Sequence, residues 1–511
     1  MSKSNPDCLL VNPNSSGIYQ DLAKDFSAIE PPTWALLLAE SLRSCGHDVL
    51  ILDADAERLS PEETANRVLQ AKSPIVLFVV YGQNPNSGTT GMAEVERVAA
   101  LISDAAEDSL LGVVGSHASA LPRQVLSVRG IDFVLLNEGV YALRNLVASD
   151  PRRDLHAIKG IGYKLRGPAG TQVIINEPER IVPQDRMDID LPGYAWDLLP
   201  YRERPLDMYR AHFWHAGFDF QQRTPFAAIY TSLGCQFGCD FCMINIVNRV
   251  DNGEEISAAD SRGMRFWSSS WVTREMAKLA DLGVKTLRIS DEMFFLNRRY
   301  YEPILQNVVN ESFDFNMWTY SRIDTVRPSA LELFRSAGVN WLALGVEAGN
   351  QMVRQEVSKG SFKEVSIKDI CHNVREANIN VISNYIFGFP HDTIETMQET
   401  LDLALELNTE MANMYPCQAL PGSPIYHEAL RKGWELPSTY AGFGFLSYEA
   451  LPLPTNTLSS AEVLKFRDDA WNTYFTNPEY LNLVETRFGR SQRQNVEQMT
   501  QVKLKRQLLG D

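Results

Sequence analysis

Short apolar runs alternate with longer stretches of helical spacing from Asp7 to Ala148. The runs at 8–11, 48–52, 75–80, 111–114 and 132–136 predict strands, and the stretches at 33–45, 61–71, 90–106 and 140–148 predict helices. Pro61 sits where the first turn of a helix tolerates a missing N–H. Apolar strands separated by helices predict a five-stranded parallel sheet, Rossmann-like, covered on both faces. Ligands of such sheets bind beyond the carboxyl ends of the strands, which points to the loops at 12–17, 81–91, 115–118 and 137–139. These loops are rich in Gly, Asn and Ser. They lack the GxGxxG and GxxxxGK(S/T) patterns that mark dinucleotide and nucleoside-triphosphate sites. The bland alternative is a set of turns, although 82–88 is longer than a turn needs.

Residues 151–225 lose this rhythm. Runs at 162–165 and 173–175 predict a hairpin around Arg166-Gly167-Pro168-Ala169-Gly170, and a Pro- and Asp-rich stretch follows. Tyr194, Trp196, Tyr201, Tyr209, Phe213, Trp214 and Phe218 are too many aromatics for free exposure. Packing between domains is expected of them, with a substrate wall as the alternative. On these grounds the chain divides into 1–150, a structured linker at 151–225, a second domain at 226–420 and a mainly helical cap at 421–511, with a helix at 460–475.

Composition narrows the partners. A chain of 511 residues is expected to hold two or three domains. Its 48 Lys and Arg against 64 Asp and Glu leave a formal charge of −16, which sets aside nucleic acid and anionic membranes as general partners. The basic residues near the end, Arg487, Arg490, Arg493, Lys503, Lys505 and Arg506, are diluted by Glu485 and Glu497 and read as a solvated face. No apolar run approaches the roughly 20 residues of a membrane span. Lys3, Asn5, Pro6 and Asp7 interrupt any export leader, so a cytoplasmic protein is expected.

Of seven cysteines, three crowd into Cys235-Gln236-Phe237-Gly238-Cys239-Asp240-Phe241-Cys242, a CxxxCxxC spacing just after the strand-like run 226–230. Three thiolates this close can wrap a small soft-metal centre. A structural zinc wants a fourth Cys or His, and the next 20 residues hold neither. A 4Fe–4S cluster with three protein ligands keeps one iron open, as catalysis requires. Zinc, or three core cysteines in chance proximity, are the alternatives. Gly234 and Gly238 let backbone amides approach the sulfurs.

With this motif, and with Phe241 before its last cysteine, the segment resembles the radical S-adenosylmethionine (SAM) superfamily. The likeness continues through strands at 286–289, 316–320, 341–346, 381–387 and 411–415 and helices at 276–282, 328–337, 362–377 and 393–407. It also includes Ser290-Asp291-Glu292-Met293-Phe294-Phe295, Leu344-Gly345-Val346-Glu347-Ala348-Gly349 and Gly388-Phe389-Pro390-His391-Asp392-Thr393. This implies a partial (β/α)6 barrel. The domain upstream, with Asn12-Pro13, Glu30-Pro31-Pro32, Gly115-Ser116-His117 and Leu136-Asn137-Glu138-Gly139, is similar to the cobalamin-binding domain of the B12-dependent radical SAM enzymes. The resemblance covers 8–148 and 226–416. It departs from the cobalamin mutases at 12–17, which holds neither the Asp nor the cobalt-ligating His of their DxHxxG pattern.

The resemblance implies a 4Fe–4S cluster on Cys235, Cys239 and Cys242, with SAM and cobalamin as further cofactors. It also implies an external electron donor such as flavodoxin or ferredoxin, and a small or medium-sized metabolite as substrate. The implied reaction is methylation of an unactivated carbon through a 5′-deoxyadenosyl radical and methylcobalamin. A non-methylating radical oxidoreductase or cyclase is one alternative, and an Fe–S protein that only binds or regulates is another. Implied cobalamin contacts are Asn12, Pro13, Gln83, Asn84, Ser116, His117, Glu138 and Gly139, with His117 preferred as a loop or nucleotide-tail contact over a cobalt ligand. Implied SAM-side residues are Phe241, Asp291, Glu292, Arg322 and Glu347. Asp291 and Glu292 suit the methionine ammonium, the substrate or helix capping. Arg322 suits the methionine carboxylate or an ion pair with Asp324, and Glu347 the adenosine side. Tyr385, in a barrel strand, is read as a catalytic hydrogen donor or as core filling. The segment 243–263, with Asn245, Asn248, Arg249 and Arg262, is expected beside the barrel mouth, shaping the substrate site or lying as a surface loop.

Overall fold

A computed structural model describes residues 5–81, 87–105, 109–149, 154–167, 170–204, 208–251, 253, 256–357 and 365–511. The first sheet contains β1 (Cys8–Asn12), β2 (Val49–Asp53), β3 (Ile75–Val80), β4 (Leu110–Gly115) and β5 (Phe133–Leu135), all parallel, followed by β6 (Ile161–Gly167) and β7 (Gly170–Ile175). Its order is β2-β1-β3-β4-β5-β6-β7. Central β3, Ile-Val-Leu-Phe-Val-Val, is buried at every position, which only a strand covered on both faces allows. Alternate residues serve the two faces. Leu9, Val11, Val76 and Phe78 pack in one core, and Cys8, Leu10, Ile75 and Leu77 in the other. Truncating the fully buried Phe78 to Ala would cost about 3–5 kcal/mol.

The hairpin expected in the join is part of this sheet: β6 pairs antiparallel with β5 and extends the five parallel strands to seven. The physical reason is the edge. Left bare, β5 would present a row of unpaired backbone groups, and the hairpin covers them.

The second sheet is six-stranded and parallel, in the order β15-β14-β13-β12-β11-β8, with β9-β10 as a separate pair. Its members are β8 (Phe226–Ile229), β11 (Thr286–Ile289), β12 (Asn316–Arg322), β13 (Val339–Glu347), β14 (Asn380–Phe387) and β15 (Met411–Pro416). Helices at Ser269–Asp281, Arg298–Asn310, Ile367–Glu376 and Ile394–Leu407 lie between the strands in sequence, giving a partial (β/α)6 barrel. β9 (Ser232–Cys235) and β10 (Gly263–Phe266) form an antiparallel pair that the sequence pattern does not announce.

Helices Ser460–Phe475, Pro478–Phe488 and Arg490–Thr500 form the cap. The first opens on a capping box, in which Ser459 and Glu462 satisfy each other's backbone N–H. The cap docks through Tyr474, whose hydroxyl donates to Thr409 O at 2.6 Å, and Tyr480, which donates to Glu410 O at 3.1 Å. The aromatics of the join, from Tyr194 to Phe218, belong to one core that runs from the first sheet into the barrel. Among the described residues no helix is long and apolar enough to cross a membrane.

Candidate functional site

The three thiols lie on the loop that leaves β9. Gly234 has φ of +82°, and a Cβ there would meet Gly263 O at 2.3 Å, so the hairpin closes only around glycine. Asn245 braces the loop, accepting from Cys235 N at 2.8 Å and donating to Phe237 O at 3.1 Å. Asp240 ties its far side, with N–H to Val357 O at 3.0 Å and C=O to Ile425 N at 2.9 Å. Phe237 N–H points at Cys235 Sγ, 3.5 Å away. All three thiols are free of disulfides, and burial pushes Cys235 up to about 12, Cys239 up to about 11 and Cys242 further in the same direction. As bare thiolates they would be costly here; a bound cation inverts that balance. Three soft donors on a braced loop, Cys235 buried and Cys239 and Cys242 half-buried, with an amide aimed at sulfur, are the donor chemistry an iron–sulfur cluster takes.

Around this loop stand the acidic and basic groups of the strand ends. Asp291 accepts from Thr231 N and Oγ1 at 2.6 Å each and from Ser232 Oγ at 2.5 Å, so it fixes the chain between β8 and β9. Burial still raises it to about 6. The Glu292 side chain, beside it, makes no hydrogen bond among the described residues, and burial raises it to about 7. Glu347 ends β13 at φ +67°, where the pairing with β14 slips by a residue, and burial raises it to about 7 against the pull of Arg322. A side chain held in left-handed backbone beside a cluster loop is strain of the kind functional sites retain. Arg322 grips Asp324 through Nε (3.0 Å) and Nη2 (3.1 Å), lies over the Phe237 ring at 4.0 Å and brings Nη1 to 4.0 Å from Cys239 Sγ. Phe241 packs against Phe389, 5.6 Å between centroids.

Tyr385 requires a correction. Asn384 faces the barrel interior, accepting from Asn413, which lines the central cavity, so the next residue on the strand faces the other way. Tyr385 accordingly sits in the helical layer, among Tyr474, Cys371 and Arg375, as core filling. The segment 243–263 is also no free loop at the barrel mouth. Asn245 serves the thiol loop, Asn248 donates to Gly263 O at 3.1 Å, and Arg249 is buried, donating to Asp251 O, Gly253 O and, in the first domain, Ser119 O. Arg262 packs its stem against Gly238.

In the first domain, Gln83 and Asn84 lie outside the described residues. Asn12 donates to Asp53 at 2.7 Å, and Asp53 also accepts from Tyr209 OH at 2.9 Å. Ser116 and His117 start a short helix, buried. The ring nitrogens of His117 face Thr89 Oγ1 (3.2 Å) and Gln124 Oε1 (3.0 Å), which leaves neither free for a metal. Glu138 forms a buried ion pair of 2.7 Å with Arg265 of β10, and Arg265 also donates to Asn248 at 2.9 Å. Glu138 therefore connects the first domain to the thiol loop. Gly139, at φ +74°, packs so closely on Val114 that a Cβ would approach within 2.7 Å.

Between the two sheets lies a cavity of about 320 Å³. Asn12, Pro13 and Tyr81 face it from the first domain, Tyr230, Tyr320 and Asn413 from the barrel, and Phe445 and Arg467 from the cap. Sequence reasoning missed its central feature, a buried ion pair of Glu30 with Arg288, stacked on Trp318 at 4.7 Å. His212 stands 3.9 Å from Glu30, stacked on Trp214. The available signal was Arg288 itself, a lone cation in an otherwise apolar strand.

Residues 20–147 match the family model of the B12 binding domain, and residues 229–404 that of the radical SAM superfamily. An uncharacterized methyltransferase of Pyrococcus horikoshii is 24% identical over 459 residues, 88% of this chain and 89% of its own. The anaerobic magnesium-protoporphyrin IX monomethyl ester cyclase of Rubrivivax gelatinosus is 24% identical over 436 residues, 82% of this chain and 69% of its own. The radical SAM methyltransferase TsrM from Kitasatospora setae, solved with cobalamin and an iron–sulfur cluster, shares the fold at a TM-score of 0.64 and 17% identity, over 97% of this chain and 99% of that one.

Proposed function

Since the chain belongs to the cobalamin-binding radical SAM enzymes, we propose that it is a C-methyltransferase acting on a small or medium-sized metabolite. The observation that carries this reading is the shared cavity: strand ends of the first sheet and of the barrel wall one space between the two cofactor domains, where a transfer between cofactors would take place. When bound, the cluster and SAM supply one-electron radical chemistry, and cobalamin a methyl carrier.

The chain's own residues have positioning work. Cys235, Cys239 and Cys242 would hold the cluster, and Arg322 and Glu347, at strand ends beside the thiol loop, would meet the polar groups of SAM. Glu292, without a hydrogen-bond partner among the described residues and raised to about 7, is placed to accept a hydrogen bond or proton. Asn12, Pro13, Ser116 and Gly139 form the cobalamin edge. The aromatic wall excludes water, which protects a radical from quenching. An external one-electron donor such as flavodoxin or ferredoxin belongs to the proposal, and so does the cytoplasm, which suits seven free cysteines.

The test is incubation with SAM, reductant, cobalamin and extract of the source cell, followed by mass spectrometry. A product heavier by one methyl substitution, with S-adenosylhomocysteine and 5′-deoxyadenosine both formed, is expected. The match to the Rubrivivax cyclase supports a second reading, a non-methylating radical oxidoreductase or cyclase. A dehydrogenated or cyclised product without S-adenosylhomocysteine would decide for it.

A further inference from the structure

The rim of the cavity carries a cation with no assigned task. Arg58 follows β2 at φ +55°, a left-handed conformation uncommon for any residue but glycine. Its guanidinium makes no hydrogen bond or ion pair among the described residues. Asp55 feels its charge but already accepts from Ser15 N at 3.1 Å. Nearby, Arg210 bonds through its backbone to Ile29 of the cavity wall at 2.9 and 3.0 Å, and the charge of Arg58, after burial, holds it below its ordinary value. Two arginines thus stand close together at this edge, with Asp55 and Asp25 as their acidic neighbours.

The interior offers the complement of a flat molecule. Trp34 and Tyr81 stack at 4.3 Å, and Tyr320 and Tyr415 also line the space. Of the other charges on the wall, Glu30 is paired with Arg288 at 2.8 Å and Arg467 with Asp468 at 2.8 Å, while Asp55 is held by the backbone N–H of Ser15. Among the described residues that line the cavity, an entering anion therefore meets one uncommitted cation, at the rim.

We propose that the cavity takes a flat, conjugated substrate bearing a carboxylate or phosphate, and that Arg58 recognises the anionic group. The proposal rests on reading the chain as an enzyme with its substrate in this cavity, but it is tested by binding alone. Calorimetric titration of the cluster-reconstituted, cobalamin-loaded protein with naphthoate and with neutral naphthamide is the experiment. The carboxylate is expected to bind about fivefold more tightly, the preference fading with salt. Arg58→Asn, which tolerates left-handed backbone, should abolish the preference, and Arg58→Lys should keep it. Equal binding of the two probes, no binding of naphthoate, or a preference that survives in Arg58→Asn overturns the proposal.

The same anion chemistry could come from the cofactor's phosphodiester. Hydroxocobalamin and dicyanocobinamide, which lacks that phosphate, separate the sources in the Arg58→Asn protein. Unchanged affinity for both supports a substrate anion. Weakening confined to hydroxocobalamin assigns Arg58 to the cofactor and overturns the substrate assignment. The naphthoate preference is measured without turnover, so failure of methyl transfer in the extract experiment bears on the function alone.

Discussion

Arg288 Nη1 lies 2.8 and 2.9 Å from the two carboxylate oxygens of Glu30, joining the first domain to the barrel by an ion pair closed to solvent. Burial keeps Glu30 above its ordinary value despite the pull of Arg288, whereas Glu30 and the neighbouring tyrosines overcome burial and hold Arg288 above its own. Removing one partner leaves a buried charge alone, at a cost of about 3–5 kcal/mol. Glu30→Gln and Arg288→Met are each expected to lower the urea midpoint strongly, while the double variant recovers most of the loss. Additive losses would show that the two side chains act independently.

Cluster assembly depends on three particular cysteines. Ala at 235, 239 or 242 is expected to abolish uptake of about four irons per chain on anaerobic reconstitution. Cys371→Ala, at a cysteine buried under β14, should leave iron content and the visible spectrum unchanged.

Tyr385→Phe is expected to leave turnover within about threefold of wild type, because the side chain sits in the helical layer. Its hydroxyl has no hydrogen-bond partner of good geometry among the described residues, so its loss should be neutral or slightly stabilising. A hundredfold drop in turnover with normal folding would return Tyr385 to the active site.

Three buried histidines weaken the fold as pH falls below neutrality, against buried carboxyls such as Asp53, Glu292 and Glu347, which take up protons in the folded chain over the same range. Burial lowers His117 to about 4 and His212 and His215 to about 3, against about 6.5 for imidazole in an unfolded chain. Between those values the unfolded chain binds protons that the folded one refuses. The stability these histidines contribute is therefore fully present above about pH 6.5 and is lost toward pH 4, by at most about 1.4 kcal/mol per pH unit for each histidine. Urea midpoints at pH 7 and pH 5 check this. His117→Asn should start lower at pH 7, and its gap from the wild type should narrow at pH 5, because the difference between the two isolates the one histidine.

Much of the fold was legible because burial writes a period into the chain. The strands at 75–80 and 286–289 and the helices at 61–71 and 460–475 are found where the apolar spacing places them. The thiol site was legible because its ligands are neighbours in sequence. Two kinds of information were not. Strands covered on both faces lose the apolar–polar alternation, and with Ser383 and Asn384 both polar just before it, the sequence around Tyr385 does not distinguish inward from outward. Pairings such as Glu30 with Arg288, 258 positions apart, leave no local trace. The hairpin at β6 and β7 was visible, but its attachment to β5 follows from a need of the sheet, not of the hairpin.

The cap's contribution to the cavity sets an order of events during synthesis. Asn12 and Pro13 emerge from the ribosome early, yet Phe445, Arg467, Trp471 and Met499 complete the enclosure they begin. Gln20 is clasped by the same late region, donating to Leu446 O at 2.8 Å and accepting from Lys505 N at 3.0 Å. The chamber thus cannot close until residue 499 has been translated and its helix has docked. Ligand capture then reports the completion of folding: a lesion in a late helix that touches no ligand will present as a binding defect.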